Sequence, residues 1–203
     1  MGIIRTDDPT QYNQVDGIVI SESAPAPKVV GVAANVAILV GTSQRGLQEL
    51  TELVSNQFTK EKFGNDSSKG LYKVLKNKGF GRLKFIRVIA AAAVKATRNF
   101  TATATPIIAF EALSKGSYGN NIKVKIEAGT TGKKYTISDT NSDAVLPEEV
   151  YDNVLVAAIT NTSNPFANSK LVKATVLATS SEPDNIAATS LATGADGVVA
   201  DTD

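Results

Sequence analysis

Between residues 100 and 180 the apolar residues come in runs of strand length, "PIIAFEAL", "NIKVKIE", "KKYTIS", "EEVYDNV" and "KLVKATVL", with turns rich in Gly, Asn, Ser and Thr between them. A side-chain period of two cannot be reconciled with a helix, so this stretch reads as a β-rich domain. In "NIKVKIE" the alternation is clean: Ile122, Val124 and Ile126 point one way and Lys123 and Lys125 the other. The segment "VLVAAITNT" (154–162) is the one place where a short helix fits.

The first half has a different character. "NVAILVG" (35–41) is a continuous apolar run of strand length, the pattern of a strand covered on both faces. The loop "GTSQRG" follows it. Ser55 is placed to cap a helix over "NQFTKEKF" that Gly64 ends. "SSKGLYKVLKNKG" (67–79) has the spacing of a second amphipathic helix, and "RLKFIRV" (82–88) returns as a strand. Strand, helices, strand predicts a crossover and a parallel pair. "AAAVKATRN" (91–99) reads as a small-residue connector, and "LATGADGVVADTD" ends the chain in turn residues. Ahead of all this, residues 1–28 read as an arm. A short strand, Ile18, Val19 and Ile20, lies between a polar start and "SESAPAPK", whose Pro25 and Pro27 favour extended backbone. Such a strand needs a sheet edge to pair with, in its own chain or in another.

Composition excludes more than it suggests. The 203 residues contain no cysteine and no histidine, which removes disulfides, thiolate sites and the usual general base near neutral pH. No apolar run is long enough to span a bilayer, so the chain reads as soluble, with no membrane partner. The net charge of +1 hides an asymmetry: residues 1–100 carry 14 Lys+Arg against 8 Asp+Glu, and residues 101–203 carry 7 against 12. The basic excess falls between Lys60 and Arg98. Within it Lys69, Lys73 and Lys76 share one side of the second predicted helix, opposite Leu71, Val74 and Leu75. That block suits a nucleic-acid or acidic-protein contact, and it suits a solvated helix face equally. No aromatic residues are interleaved for bases to stack on.

Motifs that resemble ligand sites fail on particular residues. "GTSQRG" has the glycine spacing of a phosphate loop, but Leu47 and Gln48 stand where Lys and Ser/Thr are needed. "DTNSDAVLPEEV" imitates a calcium loop through Asp139, Asn141 and Asp143, yet Ala144 replaces the glycine and Val150 the closing glutamate. A polar hairpin turn explains it. No G-x-S-x-G elbow exists. The chain therefore reads as a non-enzyme without cofactor or metal. The junction "SKGSYGNNIKVKI" (114–126) is glycine-rich too. There Gly116 and Gly119 permit backbone angles closed to other residues, while Asn120 and Asn121 tolerate or cap the turn, so the loop reads as a structural turn into a strand.

Several segments, in order, resemble contractile tail sheath proteins of bacteriophages and related injection machines. "DGIVISE" is similar to the arm strand of that family, "GVAANVAILVGTSQRG" to its first core strand and loop, and "ELVSNQFTKEKFG" to a short strand leading into a helix that closes on Phe-Gly. "GFGRLKFIRV", "ALSKGSYGNNIKVKI" and "LATGADG" resemble a glycine-pair strand, a Gly-Ser-aromatic-Gly-Asn junction and a Gly-x-Asp-Gly segment. The resemblance implies a partial α/β sheath core with an extended N-terminal arm, followed by a β-rich insertion domain. The arm spans 1–28, the core part 29–104, the β-rich domain 105–190 and a return toward the core 191–203. It implies a structural subunit that polymerises helically around an inner tube and contracts, with arms that add strands to neighbouring subunits. The partners implied are copies of itself, the inner tail tube protein, and baseplate and tail terminator proteins, in a virion tail assembled in the host cytoplasm. The family continues beyond the Gly-x-Asp-Gly segment, whereas the chain stops at Asp203. The expectation is thus the N-terminal part of a sheath protein or a shortened relative. The competing expectation is a basic α/β plus β binding module that contacts nucleic acid or an acidic protein surface through Lys60–Arg98.

Overall fold

The computed structural model describes residues 36–64, 81–141, 146–159 and 163–198, together with the backbone of 14–15 and 18–19. Two units are distinguished, Met1–Ala34 and Asn35–Asp203. In the first, β1 (Gln14–Val15) and β2 (Ile18–Val19) form a short antiparallel ladder in which Gln14 faces Val19 and Val15 faces Ile18. The expected arm strand is a strand over Ile18–Val19, paired within its own chain. Ile20 lies outside the described residues.

The second unit begins with β3 (Val36–Gly41), which pairs in parallel with β5 (Arg82–Arg87) from Val36–Arg82 through Gly41–Arg87. The predicted parallel pair is present. β4 (Thr51–Glu52) adds to the far edge of β5, antiparallel, and makes the order β3-β5-β4. Helix α1 (Asn56–Phe63) starts where the sequence indicated: the Ser55 hydroxyl accepts from the Phe58 N–H at 3.0 Å, and Gly64, at φ 90°, donates its N–H back to the Lys60 carbonyl. Phe63 of α1 meets Phe85 edge-on at 4.7 Å. With Leu53 and Leu83, and with Ala37 and Leu39 against them, they form a small apolar cluster. β3 differs from the expectation of two covered faces. Among the described residues only its Ala37 and Leu39 side is packed, while Val36, Ile38 and Val40 are exposed. The second predicted helix, with Lys69, Lys73 and Lys76, lies outside the described residues.

The β-rich part has two antiparallel sheets. One runs β11-β7-β6 and the other β10-β9-β8-β12. β6 (Lys95–Ala102) and β7 (Thr105–Lys115) form a hairpin across Thr103 and Ala104, both at positive φ. Asp184 holds that turn by accepting from the Thr103 N–H at 2.9 Å. β8 (Ile122–Ala128), β9 (Lys133–Asp139) and β10 (Glu149–Val154) form a meander. β11 (Val172–Val176) pairs with β7 and β12 (Ile186–Ser190) with β8. The inward faces share one core: Phe100, Ile108, Phe110 and Val172 from the first sheet meet Ile122, Val124, Ile126, Tyr135 and Ile137 from the second. Phe166, presented by a 3-10 turn that Asn164 caps, sits edge-on to both Phe110 and Tyr135 at 5.2 and 5.3 Å.

Two segments depart from the sequence reading. The supposed connector 91–99 is strand from Lys95, and the hairpin ladder crosses the 104/105 position. Only Ala96 and Phe100 of β6 are buried in the core, four residues apart, and the register shifts twice along it. These irregularities erase the period-two signal. The expected helix near 154–162 is a single 3-10 turn over Val156–Ala158. The C-terminal stretch is not free either: Ala192 and Ala195 bridge back to Thr97 and Val94. Among the described residues no helix is long and apolar enough to cross a membrane.

Candidate functional site

The glycine-rich junction at 114–121 is where the three-stranded mixed sheet and the β-rich part meet. β7 ends at Lys115, Gly116 turns the chain at φ 115°, and a 3-10 turn over Ser117–Asn121 delivers it into β8. Gly116 is required on two grounds. L side chains rarely adopt its φ, and a Cβ there would lie 2.5 Å from Oδ1 of Asp196. Gly119 has an ordinary φ but no room, since a Cβ would approach those of Ala112 and Ala96 within 2.7 and 2.8 Å. Asn120 exchanges two hydrogen bonds with the backbone of Gly194, donating to its carbonyl and accepting from its N–H, both at 2.9 Å. The Asn121 carbonyl accepts from the N–H and hydroxyl of Thr140, and its side chain donates to Asn141. Gly116–Asn121 turn the chain into β8; against the expectation, Gly119 is required by lack of space and not by its φ, and the two asparagines bind the backbone and side chains of neighbouring loops.

Two arginines that sequence reasoning did not single out sit beneath this turn, 4% (Arg45) and 3% (Arg87) exposed. Arg87 closes β5 and spends its guanidinium on carbonyls. Nε donates to Ser43 at 3.1 Å, Nη1 to Gly46 at 2.9 Å, and Nη2 to Gln44 and Lys115 at 3.3 and 3.0 Å. Burial lowers its pKa from the usual arginine value, and the charge of Asp196 opposes that shift. The loop "GTSQRG" therefore turns carbonyls toward a cation, the reverse of a loop that presents N–H groups to phosphate. Arg45, in that loop, donates through Nη1 to the Tyr118 hydroxyl at 2.6 Å and to Oδ2 of Asp139 at 3.3 Å, and through Nη2 to the Lys60 carbonyl at 3.0 Å. The Tyr118 hydroxyl also donates to Asp139, whose side chain has no exposed surface. Burial, then the Asp139 carboxylate, pushes the Tyr118 phenol well above its ordinary range. Two hydrogen bonds from Ser117, one from its N–H and one from its hydroxyl, hold Asp196 below the usual carboxylate range. One sequence signal pointed to this layer. Leu83, Phe85 and Arg87 occupy the same face of an alternating strand, so the arginine had to be either exposed at the strand end or buried and bonded.

Above these bonds lies an open cavity of about 710 Å³ lined by Thr42, Ser43, Gln44, Ser117, Tyr118, Asn120, Asn121, Asn141 and Asp196. Its asparagine, serine and tyrosine side chains are already engaged with one another, with backbone, or with Arg45, Asp139 and Asp196. Asp139, the first ligand of the calcium-like stretch, holds Asn141 through Oδ1 and Tyr118 and Arg45 through Oδ2. Among the described residues no three Asp, Glu, His or Cys side chains converge as a metal site. The arrangement is suited to joining two pieces of structure. Ile18 and Val19 belong to the first unit.

The fold has solved counterparts. A sheath tail protein of Listeria innocua matches over 80% of this chain and 34% of its own, with a TM-score of 0.58 and 18% identity. The fold is shared with tail sheath proteins. A sheath tail protein of Desulfitobacterium hafniense matches over 81% of this chain and 36% of its own, with a TM-score of 0.54 and 17% identity. The resemblance carried by the ordered motifs thus holds at the level of fold. The chain spans about a third of the length of these two solved sheath proteins. No protein-family model matches it, and no curated protein matches it in sequence.

Proposed function

We propose that this chain is a structural subunit, or the N-terminal portion of one, of a contractile tail sheath, in a bacteriophage tail or a related injection machine assembled in the host cytoplasm. The observation that carries this reading is the fold shared with two sheath tail proteins. The six ordered motifs of the sequence support it independently. In this reading copies pack helically around an inner tube protein, meet baseplate and terminator proteins at the ends, and contract from a metastable lattice without catalysis. The segment around Ile18–Ile20 adds to a sheet edge of a neighbouring copy, where backbone hydrogen bonds supply the grip and alternate side chains choose the pocket. The nucleic-acid reading of the basic block gains no support from the likeness in fold.

Electron microscopy of the purified chain, alone and with the remainder of its reading frame, tests the proposal. Helical polymer or tube-sheathing rings are expected from the longer product. Deleting residues 1–24 should abolish them and leave the β-rich part folded. Polymer unchanged by the deletion would overturn the role of the arm, and no ordered assembly from either product with tube protein present would overturn the sheath reading.

A further inference from the structure

The joint between the mixed sheet and the β-rich part is polar where a single domain would be apolar. The two apolar clusters share no residue: Leu53, Phe63, Leu83 and Phe85 form one, and the sandwich core forms the other. Among the described residues, side-chain hydrogen bonds cross from one part to the other from Arg45 to Tyr118 and Asp139, from Gly46 to the Ser114 hydroxyl at 2.9 Å, and from Arg87 to the Lys115 carbonyl, among others. Arg45 and Asp139 are buried, with side-chain exposures of 5% and 0%. A buried charge pair contributes little net stability compared with apolar packing, because desolvating both ions offsets their attraction. It is demanding in geometry, however, since moving either partner strands a charge in a low-dielectric site.

We infer that Arg45, Tyr118 and Asp139 form a latch that fixes the angle between the mixed sheet and the β-rich part, and that its release lets the two turn about the 88–94 connection as separately packed bodies. The placement of its members supports a hinge. Arg45 stands on the loop after β3, Tyr118 on the turn into β8 and Asp139 at the end of β9, so one bonding group ties three segments far apart in sequence. Each body keeps its own core when the latch opens. The inference does not depend on the sheath reading, because it concerns one chain in solution.

The absence of native cysteine makes the test direct. Cysteines introduced at the exposed Gln57 of α1 and Lys173 of β11 carry spin labels, and the distance distribution between them is measured in the full chain. A single narrow peak is expected. Arg45→Met combined with Asp139→Asn removes both charges together and keeps an acceptor for Asn141. The narrow peak should be lost, while near-ultraviolet circular dichroism and cooperative melting of the β-rich part persist. Tyr118→Phe, which deletes one hydroxyl, should broaden the peak to a lesser degree and serves if the double variant does not fold. Arg82→Ala breaks the exposed pair with Glu52 inside the mixed sheet and should leave the peak narrow. A narrow peak in either folded latch variant, or equal broadening by Arg82→Ala, would overturn the inference.

Discussion

Gly119 and three packed tyrosines show how closely single residues are fitted. Gly119 is not there for its backbone angle; it is there because Ala112 and Ala96 leave no space for a methyl group. Gly119→Ala should therefore cost about 1–3 kcal/mol by overpacking. Gly41→Ala, whose Cβ would rest 3.6 Å from the Phe85 ring in ordinary contact, should change stability by no more than about 0.5 kcal/mol. Urea unfolding of both variants checks the contrast. Tyr118, Tyr135 and Tyr151 all have raised pKa values, chiefly through burial, and Tyr151, also beside Glu149, is pushed up to about 12. A phenol whose folded pKa exceeds its unfolded value favours folding while it stays protonated. That contribution is complete below about pH 10 and declines as pH rises toward 12. Folded protein titrated at 295 nm should keep three of the chain's five tyrosines un-ionised until the alkaline unfolding step, and smooth ionisation of all five near pH 10 without unfolding would contradict it.

At the level of elements, β6 decides what counts as a folding unit. It is laddered to β7 along its length, it contributes Ala96 and Phe100 to the sandwich core, and Val94 and Thr97 take the bridges from Ala195 and Ala192. A piece beginning at residue 105 would expose Ile108 and Phe110 along an unpaired strand edge. A 94–198 piece is expected to melt cooperatively and a 105–190 piece to aggregate or melt broadly, as differential scanning calorimetry would report. A sharp transition from the shorter piece would show that β6 is dispensable.

For the whole molecule, the charge asymmetry bears on the proposed assembly of copies. The first hundred residues are basic and the rest acidic, and exposed charges about 10 Å apart are already screened at 0.1 M salt, so only close contacts between copies would register. Reversing Lys69, Lys73 and Lys76 to glutamate should weaken assembly and make it less dependent on salt, with an unchanged circular dichroism spectrum for the isolated chain. Sedimentation across a salt series provides the measurement, and wild-type assembly would identify that block as solvated.

The sequence by itself determined the features governed by local rules. It marked the parallel pair β3–β5, the Ser55 and Gly64 ends of α1, the strands β7, β8, β9, β10 and β11, and the turn at Gly116–Asn121. Each strand, cap and turn rests on periodicity, a capping residue or backbone sterics within about ten residues, and the parallel pairing rests on the order strand, helices, strand. Tertiary structure alone decided β6 and β12. Both lie at sheet edges, where one neighbour supplies the hydrogen bonds and few side chains need be apolar. It also decided the roles of Arg45, Arg87, Tyr118 and Asp139. Apart from Asn141, two positions from Asp139, their partners lie between 15 and 94 positions away along the chain, and no local pattern states which carbonyl or carboxylate a buried guanidinium will meet.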